Sequence, residues 1–181
     1  MKKIEITDKI KLIASDFDGV FTDGTVFIDE NLNFQKKVSF KDIMGVSMAL
    51  KAGIDFAIIS GENSNILDYF KNKFNVKEIH KGIREKGKVL KDIMERYNLK
   101  ENEVIYLGDD INDISAFELV KYKIAPPNAN PYVKGLDGIQ ITNATGGDGV
   151  FREVVDTVLG KCEPPKENSI IKLDLWKRKN S

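Results

Sequence analysis

Three aspartates fall within eight residues in the stretch SDFDGVFTDG, Ser15 to Gly24, directly after the apolar run IKLIA. Asp16 and Asp18 are two apart, so both side chains point to the same side of an extended chain. One carboxylate of such a pair can attack phosphorus, and the other can protonate the leaving oxygen and later activate water. Gly19 follows and lets the backbone turn sharply beside a ligand. More acids stand in GDDIND, where Asp109, Asp110 and Asp113 surround Asn112. Ser60 and Glu62 end another apolar run, and Lys86 opens a helical pattern. Carboxylates that converge repel one another unless a cation joins them, and an all-oxygen set suits Mg²⁺. A hydroxyl and an ammonium facing that cation complete a phosphoryl site, because Lys and metal neutralise phosphate charge and Ser donates a hydrogen bond.

The elements that must position these residues are legible as alternating short and long patterns. Short apolar runs predict strands at Lys11–Ser15, Phe56–Ser60, Lys77–His80, Val104–Gly108, Lys123–Ala125 and Gly138–Thr142. Between them lie helical patterns: KDIMGVSMALKAG, stopping at Gly53, then NSNILDYFKNKF, EKGKVLKDIMERYN, DISAFELVK and DGVFREVVDTVLG. Strands alternating with helices predict a Rossmann-like α/β fold, a parallel sheet between two helical layers. Ligands of such sheets bind beyond the carboxyl ends of the strands. Asp16 and Asp18, Ser60 and Asp109 fall at such ends, and Lys86 opens the helix after a fourth strand, which draws four segments to one edge. One stretch breaks the rhythm: Thr25 to Phe40 reads as a β-hairpin around the turn DENLN, inserted just after the first strand. We expect one domain over residues 1–160, with the hairpin flap at 25–40. Residues 161–181 form a C-terminal tail in which Trp176 and its apolar neighbours could dock on another subunit.

Composition narrows the class. The chain has 181 residues, with 28 Lys+Arg against 28 Asp+Glu, a balance that argues against a nucleic-acid partner. One cysteine, Cys162, excludes an intrachain disulfide and a Cys-rich metal site. No segment approaches the ~20 apolar residues of a membrane helix, and the start lacks the apolar core of a signal peptide. The cytoplasm is the expected compartment. DFDGVF does not match a Ca²⁺ loop, since its later acids are out of register. GGDG at Gly146–Gly149 has neither the spacing of a dinucleotide fingerprint nor the Lys-Ser/Thr of a P-loop. His80, the only histidine, follows an apolar run and reads as structural. Taken singly, each motif has an ordinary explanation, D-x-D as a solvated loop, Ser60-Gly61 as a turn, Lys86 as a surface lysine and GDDIND as a helix N-terminus; all four at strand ends in one order do not.

In that order the motifs resemble the haloacid dehalogenase superfamily of phosphotransferases: D-x-D, Ser, Lys and G-D-D-x-x-x-D, here Asp16/Asp18, Ser60, Lys86 and Asp109–Asp113. The resemblance implies Asp16 as nucleophile and Asp18 as acid/base. It implies Mg²⁺ held by Asp16, Asp109 and the main-chain carbonyl of Asp18, with Gly19, Asp110, Asn112 and Asp113 in support. The chain looks like the capless branch that hydrolyses 3-deoxy-2-ulosonic acid phosphates, on the strength of DGVFTDG before a hairpin, FKDIMG after it and GGDGVFRE late in the chain. Glu62, Lys73, Asp148 and Arg152 are the substrate-binding positions this likeness suggests. Octulosonate 8-phosphate enzymes typically carry Arg after the Ser/Thr-Gly pair and a basic residue in the late loop. Glu62 and Asp148 stand there instead, so the expected substrate is a nine-carbon, sialic-type acid 9-phosphate such as 2-keto-3-deoxynononate 9-phosphate. The alternative is 3-deoxy-D-manno-octulosonate 8-phosphate. The branch assembles as a tetramer in which the hairpin takes the place of a cap, so a homotetramer through residues 25–40 is expected. Two readings from other classes are a phospho-signalling receiver, which would need an acceptor Asp that KEIH lacks, and a non-catalytic regulatory domain, which would not need every motif residue.

Overall fold

The computed structural model describes residues 4–160, so the expectations for the 161–181 tail lie outside the described residues. The chain begins with β1 (Leu12–Ser15), then the short β2 (Phe27–Ile28) and β3 (Phe34–Gln35), α1 (Phe40–Lys51) and β4 (Asp55–Ile59). It continues through α2 (Ile66–Phe74), β5 (Glu78–His80), α3 (Lys86–Arg96) and β6 (Val104–Leu107). A 3-10 turn at Ile111–Asp113 leads into α4 (Ile114–Phe117), followed by β7 (Tyr122–Ala125), α5 (Pro131–Lys134), β8 (Ile139–Ile141) and α6 (Val150–Val158).

β1 shows how the layers form. All four of its residues are buried. Ile13 joins one apolar cluster while Leu12 and Ala14 join the other, because successive side chains of a strand point to opposite faces. The first cluster is covered by α1, α2 and α6 through Val46, Phe70 and Val154 among others. The second is covered by α3, α4 and α5 through Leu90, Phe117 and Val133. Six parallel strands run in the order β5-β4-β1-β6-β7-β8. The chain leaves β1 toward β4 on one side and later returns to pair β6 on the other. That reversal opens a crevice beyond the carboxyl end of β1, where Asp16 and Asp18 stand.

The long helical pattern DISAFELVK is shorter in the structure, where α4 spans four residues. α5 was not legible by periodicity, although Asn130 accepts from the Tyr132 amide and Pro131 opens the turn. β2 and β3 pair antiparallel, Phe27 opposite Gln35 and Ile28 opposite Phe34. Asp23 starts this excursion: its Oδ1 accepts from the Thr25 amide at 2.9 Å and the Thr25 hydroxyl at 2.6 Å.

A cluster of phenylalanines lies beneath the loop that follows β1. Phe21, fully buried, has ring centroids 5.6 Å from Phe17, 5.7 Å from Phe56, 5.4 Å from Phe70 and 5.1 Å from Phe151. It thereby ties the loop after β1 to β4, α2 and α6. Phe21→Ala should destabilise the protein by about 3–5 kcal/mol, measured by denaturant unfolding; a loss below about 1 kcal/mol would contradict this packing role.

Candidate active site

Lys86 is fully buried at the start of α3, and its Nζ lies 2.6 Å from Asp16 Oδ2 and 2.8 Å from Asp113 Oδ1. Asp113 is saturated. Tyr106 donates its hydroxyl to Oδ1 at 2.7 Å, and the amides of Asp109 and Asp110 donate to Oδ2 at 2.9 and 3.1 Å. Asp113 therefore anchors Lys86 and folds the Asp109–Asp110 loop over itself. Asp16 uses its Oδ1 to accept the Phe17 amide at 2.6 Å. No donor among the described residues reaches the Asp109 carboxylate. One carboxylate oxygen each from Asp16, Asp109 and Asp113 lie within 4.8 Å of one another.

The electrostatics follow from burial. Burial pushes the Asp109 carboxyl up to about 7, with Asp16, Asp113 and Asp110 adding to the effect and Lys86 opposing it. Asp16 is raised for the same leading reason, then by Asp113, again against Lys86. One ammonium serves two buried carboxylates and cannot neutralise both. For Lys86 itself, burial favours the neutral amine, but Asp113 and Asp16 outweigh it and the net shift is upward. The donor set of Asp109, a half-buried carboxylate without a donor, beside the buried Asp16 fits a hard divalent cation. Gly19, with φ +82°, leaves room for the Asp109 carboxylate: a Cβ there would lie 1.9 Å from Asp109 Oδ2.

Asp18 points elsewhere. Its Oδ2 accepts from Lys36 Nζ at 2.7 Å and its Oδ1 from the Thr22 hydroxyl at 3.3 Å. The side chain of Asp18 is thus separate from the acid cluster, and a lysine of the hairpin segment holds it. Lys36 was not legible as a site residue, since nothing in the sequence links it to an acid eighteen positions earlier. Ser60 is buried below the cleft, and its Oγ accepts the Glu62 amide at 3.2 Å. Asp16, Asp18, Gly61, Glu62, Ile83, Arg84 and Asn112 line a cleft of about 390 Å³. Asp110 faces away and accepts from the Ile111 amide at 2.8 Å and from Asn130 Nδ2 at 2.9 Å.

Three of the suggested substrate positions are engaged outside this cleft. Lys73 lies in the last turn of α2, at the end of that helix remote from the cleft, with its ammonium on Tyr69. Arg152 Nε bonds Asp156 Oδ2 at 2.8 Å. Asp148 is exposed and pairs with Lys41 at 2.7 Å. Glu62 alone of the four lines the cleft. The late Gly-rich loop serves packing: a Cβ on Gly146 would lie 2.0 Å from the Gly19 carbonyl oxygen, and the Gly147 amide donates to Val20 O at 3.0 Å. Buried Asp42 holds that loop from α1 by accepting the Gly149 and Arg152 amides at 3.1 and 3.0 Å. His80 pairs with Glu78 at 2.8 Å.

A sheet of this topology with an acid cluster and a buried lysine at one edge fits a phosphoryl-transfer enzyme. Residues 21–154 match the family model for haloacid dehalogenase-like hydrolases. The chain belongs to that family and is a phosphoric monoester hydrolase. It is similar to the 3-deoxy-D-manno-octulosonate 8-phosphate phosphatase KdsC of Haemophilus influenzae, 33% identical over 153 residues, 84% of each chain. The Salmonella typhimurium KdsC is 29% identical over 167 residues, 90% of this chain and 88% of that one. The solved Moraxella catarrhalis 3-deoxy-D-manno-octulosonate 8-phosphate phosphatase, in complex with a magnesium ion, a phosphate ion and a KDO molecule, has a TM-score of 0.79 at 26% identity over 92% of both chains. The cobalt-bound Haemophilus influenzae enzyme has a TM-score of 0.78 at 32% identity, over 84% of this chain and 89% of that one. No helix among the described residues is long and apolar enough to cross a membrane.

Raised carboxyl values mean that the folded, metal-free protein keeps protons the unfolded chain has released. These groups therefore favour the fold at low pH, and that contribution is lost as pH rises from about 4 toward about 7. A bound cation offsets the loss. Mg²⁺ should raise the melting temperature more at about pH 8 than at about pH 5.5; equal shifts at both would contradict the acid cluster as its site.

Proposed function

We propose that this chain is a Mg²⁺-dependent phosphatase of 3-deoxy-2-ulosonic acid phosphates, acting on 3-deoxy-D-manno-octulosonate 8-phosphate. The observation that carries the substrate is the likeness, over 84% of both chains, to a relative that bears this activity in its name. It moves the reading from the nine-carbon 9-phosphate to the eight-carbon 8-phosphate. The nine-carbon substrate remains the second reading because Glu62 lines the cleft where an arginine is typical of octulosonate enzymes. Asp148 no longer supports it, since its carboxylate is turned to Lys41 at the surface.

In this reading Asp16 and Asp109, with the main-chain carbonyl of Asp18, would hold Mg²⁺, which supplies positive charge to the phosphoryl oxygens. Asp16 attacks phosphorus, the bond to the sugar oxygen breaks, and Asp18 gives that oxygen its proton. Asp18 then takes a proton from water, the water oxygen bonds to phosphorus, and the aspartyl-phosphate bond breaks to release phosphate and free Asp16. Lys86 neutralises charge on Asp16 and the phosphoryl group, and the Ser60 hydroxyl donates to it. Lys36 holds the Asp18 carboxylate at 2.7 Å, apart from the Asp16, Asp109 and Asp113 cluster. The exposed apolar side chains of the hairpin, Phe27, Ile28, Leu32 and Phe34, support a homotetramer in which neighbouring copies cover them.

Asp16→Asn should lower kcat at least about a thousandfold while the melting curve stays cooperative; near-native turnover would remove Asp16 from the mechanism. The ratio of kcat/KM for the octulosonate 8-phosphate to that for the nine-carbon 9-phosphate decides the substrate. A ratio above one supports the proposal, and a ratio below one returns the assignment to the nine-carbon acid. Sedimentation of the active enzyme should give a tetramer, and a stable active monomer would contradict the hairpin's role.

A further inference from the structure

A sugar acid phosphate carries two anionic ends, and the residues so far described receive only one of them. The phosphoryl end has Lys86 and the metal site. The other end presents a carboxylate to a cleft whose acids include Asp16, Asp18 and Glu62. Without a cation facing it, that carboxylate is repelled. Most cations near the catalytic edge are already committed: Lys36 to Asp18 at 2.7 Å, Lys86 to Asp16 and Asp113, Lys41 to Asp148 at 2.7 Å and Arg152 to Asp156 at 2.8 Å.

Arg84 is the one cation among the described residues lining the cleft, and no described residue bonds or pairs with its guanidinium. Its backbone is held in place. The Ile83 amide donates to Ser60 O at 2.9 Å and the Gly82 amide to Glu62 O at 3.3 Å, so residues 82–83 are strapped to the loop that ends β4. Two residues further on, Lys86 is locked at Asp16. The side chain between these two fixed points is exposed and forms, with Asn112, the divide between the acid-floored cleft and an adjoining groove of about 590 Å³. Lys88, one turn into α3, lines that groove. The planar guanidinium fork matches a carboxylate with two parallel hydrogen bonds.

We propose that Arg84 receives the carboxylate of the sugar acid at the mouth of the cleft and is the residue by which this enzyme selects acidic over neutral sugar phosphates. The role rests on the sugar-acid phosphatase reading above. It supplies from the Lys86 segment the cation that Glu62 removes from the Ser60 loop. The two loops are joined by the Gly82 and Ile83 hydrogen bonds, and Glu62 and Arg84 line the same cleft.

The test compares two substrates on two proteins. One substrate is the sugar acid phosphate, and the other is a sugar phosphate of the same length without the carboxylate. Wild type should prefer the acid, and Arg84→Gln should lower that preference, the ratio of the two kcat/KM values, by roughly 10- to 100-fold. The loss should fall mainly on KM for the acid, and Arg84→Lys should restore part of the preference. Equal losses on both substrates would assign Arg84 to the phosphoryl group or to folding and overturn the proposal. An unchanged ratio would overturn it as well. If wild type shows no preference for the acid, the sugar-acid reading fails before any variant is made, and the proposal falls with it.

Discussion

A fully buried lysine shared by two buried carboxylates organises the catalytic edge. Lys86 reaches Asp16 from one strand end and Asp113 from another, so α3 is fastened to the ends of β1 and β6 at one point. Burying an ammonium is costly unless partners compensate it, and removing one partner of a buried pair costs about 3–5 kcal/mol. Here the compensation is layered. Asp113 also accepts from Tyr106 and from the Asp109 and Asp110 amides, which leaves its carboxylate no free acceptor for a substrate. The result is a division among chemically equal side chains. Asp113 is spent on structure, Asp16 is shared between Lys86 and the cleft, and Asp109 is left without a donor. The residual charge imbalance is what makes the site receptive to a cation.

The same logic extends outward through the loop after β1. Gly19 removes the side chain that would strike Asp109, and the Gly146–Gly147 turn packs directly against residues 19 to 23. Asp42 and the phenylalanine cluster around Phe21 hold these loops from below. Beyond Asp23 the chain leaves the core as a hairpin whose apolar residues are exposed, yet Lys36 returns from it to Asp18. The proposed acid/base is therefore oriented by the very segment proposed to assemble the oligomer. In the proposed assembly this would couple subunit packing to the geometry of the proposed proton-transfer group.

Much of this was legible in the sequence, for physical reasons that also explain the gaps. A buried parallel strand is a short apolar run, and all six strands of the main sheet were visible as such. Strand-end acids were visible because polar residues at the end of such a run are unusual. What stayed hidden were partners distant in the chain. Lys36 and Asp42 look like ordinary charged residues until folding sets one on Asp18 and the other under the amides that start α6. α5, with four residues, is too short for periodicity to register. Lys73 and Arg152 match a family pattern, but their side chains are held by Tyr69 and Asp156. Arg84 showed no signal at all, since an isolated arginine before a helix reads as solvated surface. Substrate identity was the least legible feature, because the fold determines the chemistry more tightly than the molecule it acts on.

Asp16, held by Lys86, is the residue proposed to take the phosphoryl group during turnover. Borohydride reduces an aspartyl-phosphate to homoserine, so quenching the enzyme with it under saturating substrate marks the residue that carried phosphate. Peptide mass analysis should find the mark at position 16. A mark on any other carboxylate, Asp18 and Asp109 included, would contradict the account.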